Sequence, residues 1–135
     1  MRALIAEDDT ISSQILTKIL STYGSCDVVA NGKEAVDAFQ RSLDEADPYT
    51  LICMDIMMPE LDGQEALRRI RKLEKAAGIS SGQSVKVVMT TSLNVTREAA
   101  DALFKGGASA YFVKPLQVDD FIEELKGIGV IPRQP

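Results

Sequence analysis

Five short apolar runs punctuate the chain: Ala3–Ala6, Asp27–Ala30, Leu51–Met54, Val85–Thr90 and Ala110–Val113. Each is bounded by polar or turn-forming residues and is rich in β-branched or bulky side chains, as buried strands are. The intervals between them carry a different period. Ile15, Leu16, Ile19, Leu20 and Tyr23 recur at helical spacing in the first, Ala35, Val36 and Phe39 in the second, and Ala66, Leu67, Ile70 and Leu73 in the third. In the fourth, Val95, Ala99, Ala102 and Leu103 share a face that ends at Gly106-Gly107, a left-handed stop; the fifth carries Val118, Phe121, Ile122 and Leu125.

Strand and helix therefore alternate five times. Parallel neighbours joined by right-handed crossovers place helices on both faces of an open sheet. The predicted fold is α/β, a doubly wound five-stranded parallel sheet. Ligands of such sheets bind beyond the carboxyl ends of the strands. There is no internal repeat, low-complexity tract or interdomain linker. One domain is expected over residues 1–128, with a loop from Lys75 to Ser84 after the third helix and a frayed tail from Gly129 to Pro135.

Composition narrows the class. A chain of 135 residues, 45% of them hydrophobic, can bury one core without disulfides or a structural metal. Its 20 acidic and 15 basic residues give a net charge of −5, which opposes non-specific attraction to nucleic acid or anionic lipid. Cys26 and Cys53 sit in apolar runs and read as small buried hydrophobes rather than a disulfide or metal ligands. No apolar run approaches the roughly 18 to 20 residues that span a bilayer, and Met1-Arg2-Ala3-Leu4 enters a strand pattern rather than a signal peptide. The expectation is a cytoplasmic protein with no membrane insertion and no direct nucleic-acid partner.

The chemistry is concentrated at strand ends. Glu7 and Asp8 follow the first strand, Asp55 the third, Thr91 the fourth and Lys114 the fifth. Taken singly each has a plainer explanation. Glu7-Asp8-Asp9 suits the start of a helix, Asp55 starts a turn before Met58-Pro59, Thr91 caps, and Lys114 precedes Pro115 in a solvated loop. Chance decoration has no reason to place all of them at the same ends of four strands. In a doubly wound sheet they meet in one crevice. Three carboxylates there repel one another unless a cation lies between them or some pKa values rise. Hard oxygen ligands of this kind suit Mg²⁺.

Four segments, Leu4-Ile5-Ala6-Glu7-Asp8-Asp9, Met54-Asp55-Ile56-Met57-Met58-Pro59-Glu60-Leu61-Asp62-Gly63, Val88-Met89-Thr90-Thr91-Ser92 and Gly107-Ala108-Ser109-Ala110-Tyr111-Phe112-Val113-Lys114-Pro115, occur in an order that resembles response-regulator receiver domains of two-component signalling. The resemblance, which extends to the single-domain chemotaxis regulators, covers nearly the whole chain. It implies that Asp55 is the phosphoacceptor, taking a phosphoryl group from a phosphohistidine of a histidine kinase or histidine phosphotransfer protein. It further implies Mg²⁺ held directly by Asp8 and Asp55, by the carbonyl of Met57 and, through water, by Glu7. Lys114 and Thr91 would stabilise charge on the phosphoryl oxygens.

A switch follows from the same resemblance: Thr91 moves toward the phosphoryl group, Tyr111 turns inward, and the face made by the fourth helix, fifth strand and fifth helix changes. Tyr111 alone would pass for a half-buried strand aromatic, but the Tyr-x-x-Lys-Pro match favours the switch. Met57 and Leu93 correspond to positions bordering the path of hydrolytic water, and neither can act as a general base, so slow self-dephosphorylation is expected. The phosphohistidine partner would dock against Ile11, Gln14 and Ile15. Two departures stand out: Lys75 to Ser84 is longer than the usual connection, and Asp9 is a third consecutive acid.

Three rivals fare less well. An aspartate-nucleophile Mg²⁺ phosphatase pairs its nucleophile with an acid two residues later, where Met57 stands. An FMN binder of the same architecture wants a hydroxyl- and glycine-rich phosphate loop after the first strand, where Glu7-Asp8-Asp9 would repel the phosphate. A receiver-like module that never takes phosphate has no need of the complete set of five residues. The chain is thus expected to be a signalling domain rather than an enzyme, promoting only its own phosphotransfer and dephosphorylation. With no basic helix-turn-helix segment or output domain after Lys126, it would act through protein contacts.

Overall fold

The predicted alternation is what the chain builds. In the computed structural model, which describes residues 1–58, 61–91 and 96–132 and only the backbone at 97, 99 and 100, the strands are β1 (Arg2–Ala6), β2 (Ser25–Val29), β3 (Leu51–Asp55), β4 (Lys86–Thr91) and β5 (Ala110–Val113). The helices are α1 (Thr10–Leu20), α2 (Gly32–Asp44), α3 (Gly63–Ala76), α4 (Arg97–Lys105) and α5 (Val118–Gly127). All strands are parallel, in the order β2-β1-β3-β4-β5. The chain steps to one side of β1 for β2 and to the other for β3, and a crevice opens where the connections part.

Alternate residues of each strand serve opposite faces. Leu4, Ile52, Met54, Val87 and Met89 join Phe39 of α2, Leu67 and Ile70 of α3 and Leu103 of α4 in one core. Ile5, Cys53 and Val88 join Leu16 and Leu20 of α1 and Phe121 and Leu125 of α5 in the other. β3, central in the sheet, is buried along its whole length.

Three helix starts are fixed by side chains that satisfy otherwise orphaned backbone N–H groups. The Asn31 carbonyl accepts from the Glu34 N–H at 2.8 Å, and the Glu34 carboxylate reaches back to the Ala30 N–H at 2.8 Å. Asp62 accepts from the Glu65 N–H at 2.9 Å at the head of α3. Asp9 does the same for α1, accepting from the Ser12 N–H at 3.2 Å and the Ser12 hydroxyl at 2.6 Å. The third consecutive acid is therefore a helix cap, and its bonds to Ser12 hold its carboxyl below the ordinary aspartate range.

Several expectations need correction. The second strand begins at Ser25 and lies at the sheet edge, so Val28 is 49% exposed and Cys26 only half-buried, whereas Cys53 is buried. Ile15 and Val118 share the spacing of buried neighbours yet lie on the rims of α1 and α5, 47% and 45% exposed. Ala102 is exposed and Tyr23 falls beyond the end of α1; Val95 lies outside the described residues. The predicted loop after the third helix contains a left-handed Gly78 and a 3₁₀ turn at Ser81–Gln83. The tail does not fray at Gly129. That glycine, at φ +84°, turns the chain so that the Val130 N–H donates to the Leu125 carbonyl at 3.0 Å and Ile131 enters the second core, 3% exposed.

Candidate functional site

Register decides which strand-end residues meet. Ala6, Met54, Met89 and Tyr111 lie level across β1, β3, β4 and β5, which sets Glu7 beside Asp55 and Thr90, and Thr91 opposite Val113 one step further out. The Glu7 N–H still donates to the Val29 carbonyl at 3.0 Å, extending the ladder past β1, and the Lys114 N–H donates to the Thr91 carbonyl at 2.7 Å, extending it past β5. The four strand ends thus deliver three carboxylates, an ammonium and a hydroxyl to the crevice.

Asp55 is buried and held at both oxygens. Its Oδ1 accepts from the Met57 N–H at 3.1 Å and its Oδ2 faces the Lys114 Nζ at 3.2 Å. Lys114 also makes a close ion pair with Glu7. The backbone beside Asp55 is fixed by the Ile56 N–H donating to Thr90 at 2.8 Å and by the Gly63 N–H donating to Ile56 at 2.9 Å. A side chain at residue 63 would place its Cβ 2.4 Å from the Asp55 carbonyl oxygen, so the first turn of α3 approaches the aspartate this closely only because Gly63 has none. In the sequence Gly63 figured only as the end of a matching segment, with no role of its own; the further signal was a glycine directly after an N-capping aspartate.

Glu7, Asp8 and Asp55 each present a carboxylate oxygen within 4.8 Å of the others. Glu7 and Asp55 are buried while Asp8 is exposed at the mouth. Burial, and then the hydrogen bond and charge of Asp55, push the Glu7 carboxyl up to about 7 despite Lys114. Burial disfavours the Lys114 ammonium, but Glu7 and Asp55 outweigh it and hold the ammonium above its ordinary range. One ammonium against three carboxylates leaves the crevice negative. Hard oxygen donors, one of them open to solvent water, fit a small divalent cation.

The remaining predicted residues are placed as follows. Thr91 is buried at the end of β4. Tyr111 is half-buried, packed against the first core and in edge contact with Phe104 of α4, ring centroids 5.9 Å apart. Met57 is 60% exposed at the rim. Leu93 lies outside the described residues, as do Pro59, Glu60 and Ser92. Beside the crevice, a cavity of about 410 Å³ is lined by Ile11, Ile15 and Leu16 of α1 and by Lys114, Pro115 and Leu116; Gln14 is exposed on the same helix but is not part of the lining.

Residues 3–126 match the sequence profile of the response regulator receiver domain. The chain belongs to that family. This receiver domain is 31% identical over 126 residues to the chemotaxis protein CheY of Listeria monocytogenes, covering 93% of this chain and 97% of that one. It is 33% identical over 129 residues to hybrid signal transduction histidine kinase L of Dictyostelium discoideum, covering 95% of this chain but only 7% of the kinase. Among solved structures, it resembles the receiver domain of Saccharomyces cerevisiae Ssk1, crystallised with the histidine phosphotransfer protein Ypd1, at TM-score 0.81 and 30% identity over 96% of this chain and 89% of that one. The receiver fold and the five-stranded parallel sheet expected from the sequence are thus borne out. Among the described residues, no helix is long and apolar enough to cross a membrane.

Proposed function

We propose that this receiver domain accepts a phosphoryl group on Asp55 from a phosphohistidine and signals through the α4-β5-α5 face. The observation that carries the reading is the setting of Asp55: buried, held by Lys114 and the Met57 N–H, with Glu7 and Asp8 within reach of one cation. An ionised Asp55 oxygen attacks phosphorus while the bond from phosphorus to the donor imidazole nitrogen breaks. The donor imidazole, protonated at its other nitrogen, takes the bonding pair and leaves neutral, and Asp55 carries an acyl phosphate.

Asp8 and Asp55, with the Met57 carbonyl and, through water, Glu7, would hold Mg²⁺, which supplies positive charge to the phosphoryl oxygens. Lys114 exchanges part of its pairing with Glu7 and Asp55 for a phosphoryl oxygen. Thr91 donates its hydroxyl to another. Tyr111, already in contact with Phe104, follows Thr91 and repositions α4. The domain turns over no separate substrate. The phosphohistidine donor is a histidine kinase or histidine phosphotransfer protein, a class of partner that the pairing of Ssk1 with Ypd1 supports, and it docks at the cavity between α1 and the β5–α5 connection, where apolar side chains of α1 border the crevice. A reducing cytoplasm suits its two free thiols.

The test is incubation with acetyl phosphate and Mg²⁺ followed by intact mass. One phosphoryl adduct is expected on the parent and none on Asp55→Ala. An adduct that forms without Mg²⁺, or that survives Asp55→Ala, would sink the mechanism.

A further inference from the structure

The fastening of α4 at its C-terminal end is unusual in its chemistry. Leu103 is 2% exposed in the first core, and the Ala108 N–H closes back on the Leu103 carbonyl at 3.0 Å. Just past the helix, the Gly107 carbonyl accepts from one terminal nitrogen of Arg71 at 2.6 Å. The other terminal nitrogen donates to the Val85 carbonyl at 2.8 Å and to Glu74 at 2.7 Å. The second oxygen of Glu74 accepts from the Val85 N–H at 2.7 Å. One guanidinium and one carboxylate thereby join α3, the approach to β4 and the α4–β5 turn. Gly107 stands at φ +104°, and a Cβ there would lie 2.7 Å from the Arg71 Nε, so only glycine lets the guanidinium settle against the turn.

This cluster lies at the edge of the sheet opposite Asp55: Val85 precedes β4, and Thr91 ends it. Glu74 is 4% exposed. A buried ion pair of this kind is weak evidence for stability, because an apolar pair of the same size often serves as well. What it supplies is position. The planar fork of arginine fixes two carbonyls at once, which a lysine ammonium on a flexible stem does not. Meanwhile the outward side of α4 carries Phe104, 46% exposed and in contact with Tyr111.

We propose that the Arg71–Glu74 pair is the fulcrum of α4: it pins the C-terminal end of the helix to α3 and β4, so that a change at Thr91 swings the helix about Gly107 instead of letting it slide or unravel. The proposal rests on the phosphoacceptor reading only for what drives the swing.

Two variants of the full chain test it by amide hydrogen exchange and NMR: Arg71→Lys, which keeps the charge and loses the fork, and Arg71→Met with Glu74→Leu, which keeps the packing and loses both charges. In the unphosphorylated chain, amides from Ala102 to Ala108 should exchange about tenfold faster in both variants, since neither can hold the Val85 and Gly107 carbonyls at once. Amides of β1 and β3 should keep parental rates. With beryllofluoride and Mg²⁺ the parent should show shifts at Thr91, Phe104 and Tyr111; the variants should keep the one at Thr91 and lose most of that at Phe104. Parental protection of Ala102 to Ala108, or a full response at Phe104 in either variant, overturns the fulcrum. Should the double variant fail to fold, Arg71→Lys decides alone. A parent that ignores beryllofluoride counts against the phosphoacceptor reading and leaves the exchange rates to judge the fulcrum.

Discussion

Met57 shows how much one side chain at the crevice can govern. Its N–H holds Asp55, while its side chain is exposed at the rim and offers no proton acceptor to a water approaching the acyl phosphate. By the receiver resemblance, polar groups at residues 57 and 93 would orient that water or take its proton. The combined Met57→Asn, Leu93→Glu variant should therefore lose its phosphoryl group roughly tenfold faster than the parent, a fraction of the roughly 10²- to 10⁴-fold that a well-placed base supplies. Decay of the labelled protein followed by mass spectrometry measures it, and a lifetime no shorter than the parental one would remove the explanation. At this scale, Asp55, Asp8, Thr91 and Lys114 were legible because a polar residue at the end of a buried run is conspicuous. Gly63 and Arg71 were not. Their importance lies in a backbone so near the Asp55 carbonyl that a Cβ at residue 63 would come within 2.4 Å of it, and in a hydrogen bond of 2.6 Å to a carbonyl 36 residues away, neither of which leaves a periodic trace in the sequence.

Among the elements, α1 has two sides with different uses. Leu16 and Leu20 anchor it in the second core, while Ile11, 68% exposed, and Ile15 line the cavity shared with Pro115 and Leu116. Apolar side chains left in water beside a charged crevice are where a partner gains most from covering them. An Ile15→Asp variant should accept phosphate from acetyl phosphate as the parent does, yet should slow its transfer from a phosphorylated histidine phosphotransfer protein by roughly tenfold or more, the loss of one well-buried anchor. Equal slowing with both donors would place the defect in the crevice rather than in docking. Helical spacing put Ile15 in the apolar stripe of α1, whereas the receiver resemblance put it on the docking side, and its exposure of 47% agrees with the second. Periodicity reports that a helix has an apolar stripe, and the stripe of α1 is wider than the surface that covers it. The same limit explains β2: an apolar run gives a strand, but only sheet order shows that this one is at an edge.

For the molecule as a whole, the crevice is a cost borne by two cores. Glu7, Asp8 and Asp55 repel one another with only Lys114 among them, so the metal-free domain is expected to be less stable than the loaded one. Ligand binding to the folded state alone adds about 2.7 kcal/mol at 100 times the Kd, on the order of 10 °C in Tm for a domain of this size. The melting temperature should climb with Mg²⁺ in the parent. In Asp8→Asn it should begin higher without Mg²⁺ and climb little. Equal Mg²⁺ responses in the two proteins, followed by circular dichroism, would show that the cation binds elsewhere. The fold itself was legible almost entirely, since strand and helix periods alternate without interruption. The tail was not, because Ile131 reaches the core through a turn at Gly129 that follows the last helical repeat.

The residues proposed to perform the chemistry, Glu7, Asp8, Asp55, Thr91 and Lys114, all lie at or beyond the last rungs of the sheet, and neither core is built from them. Structure and reactivity are therefore inherited on separate accounts. A descendant of this chain in which Asp55 had drifted to something inert would keep its architecture, lose some internal repulsion, and still display the same outer helices to its neighbours.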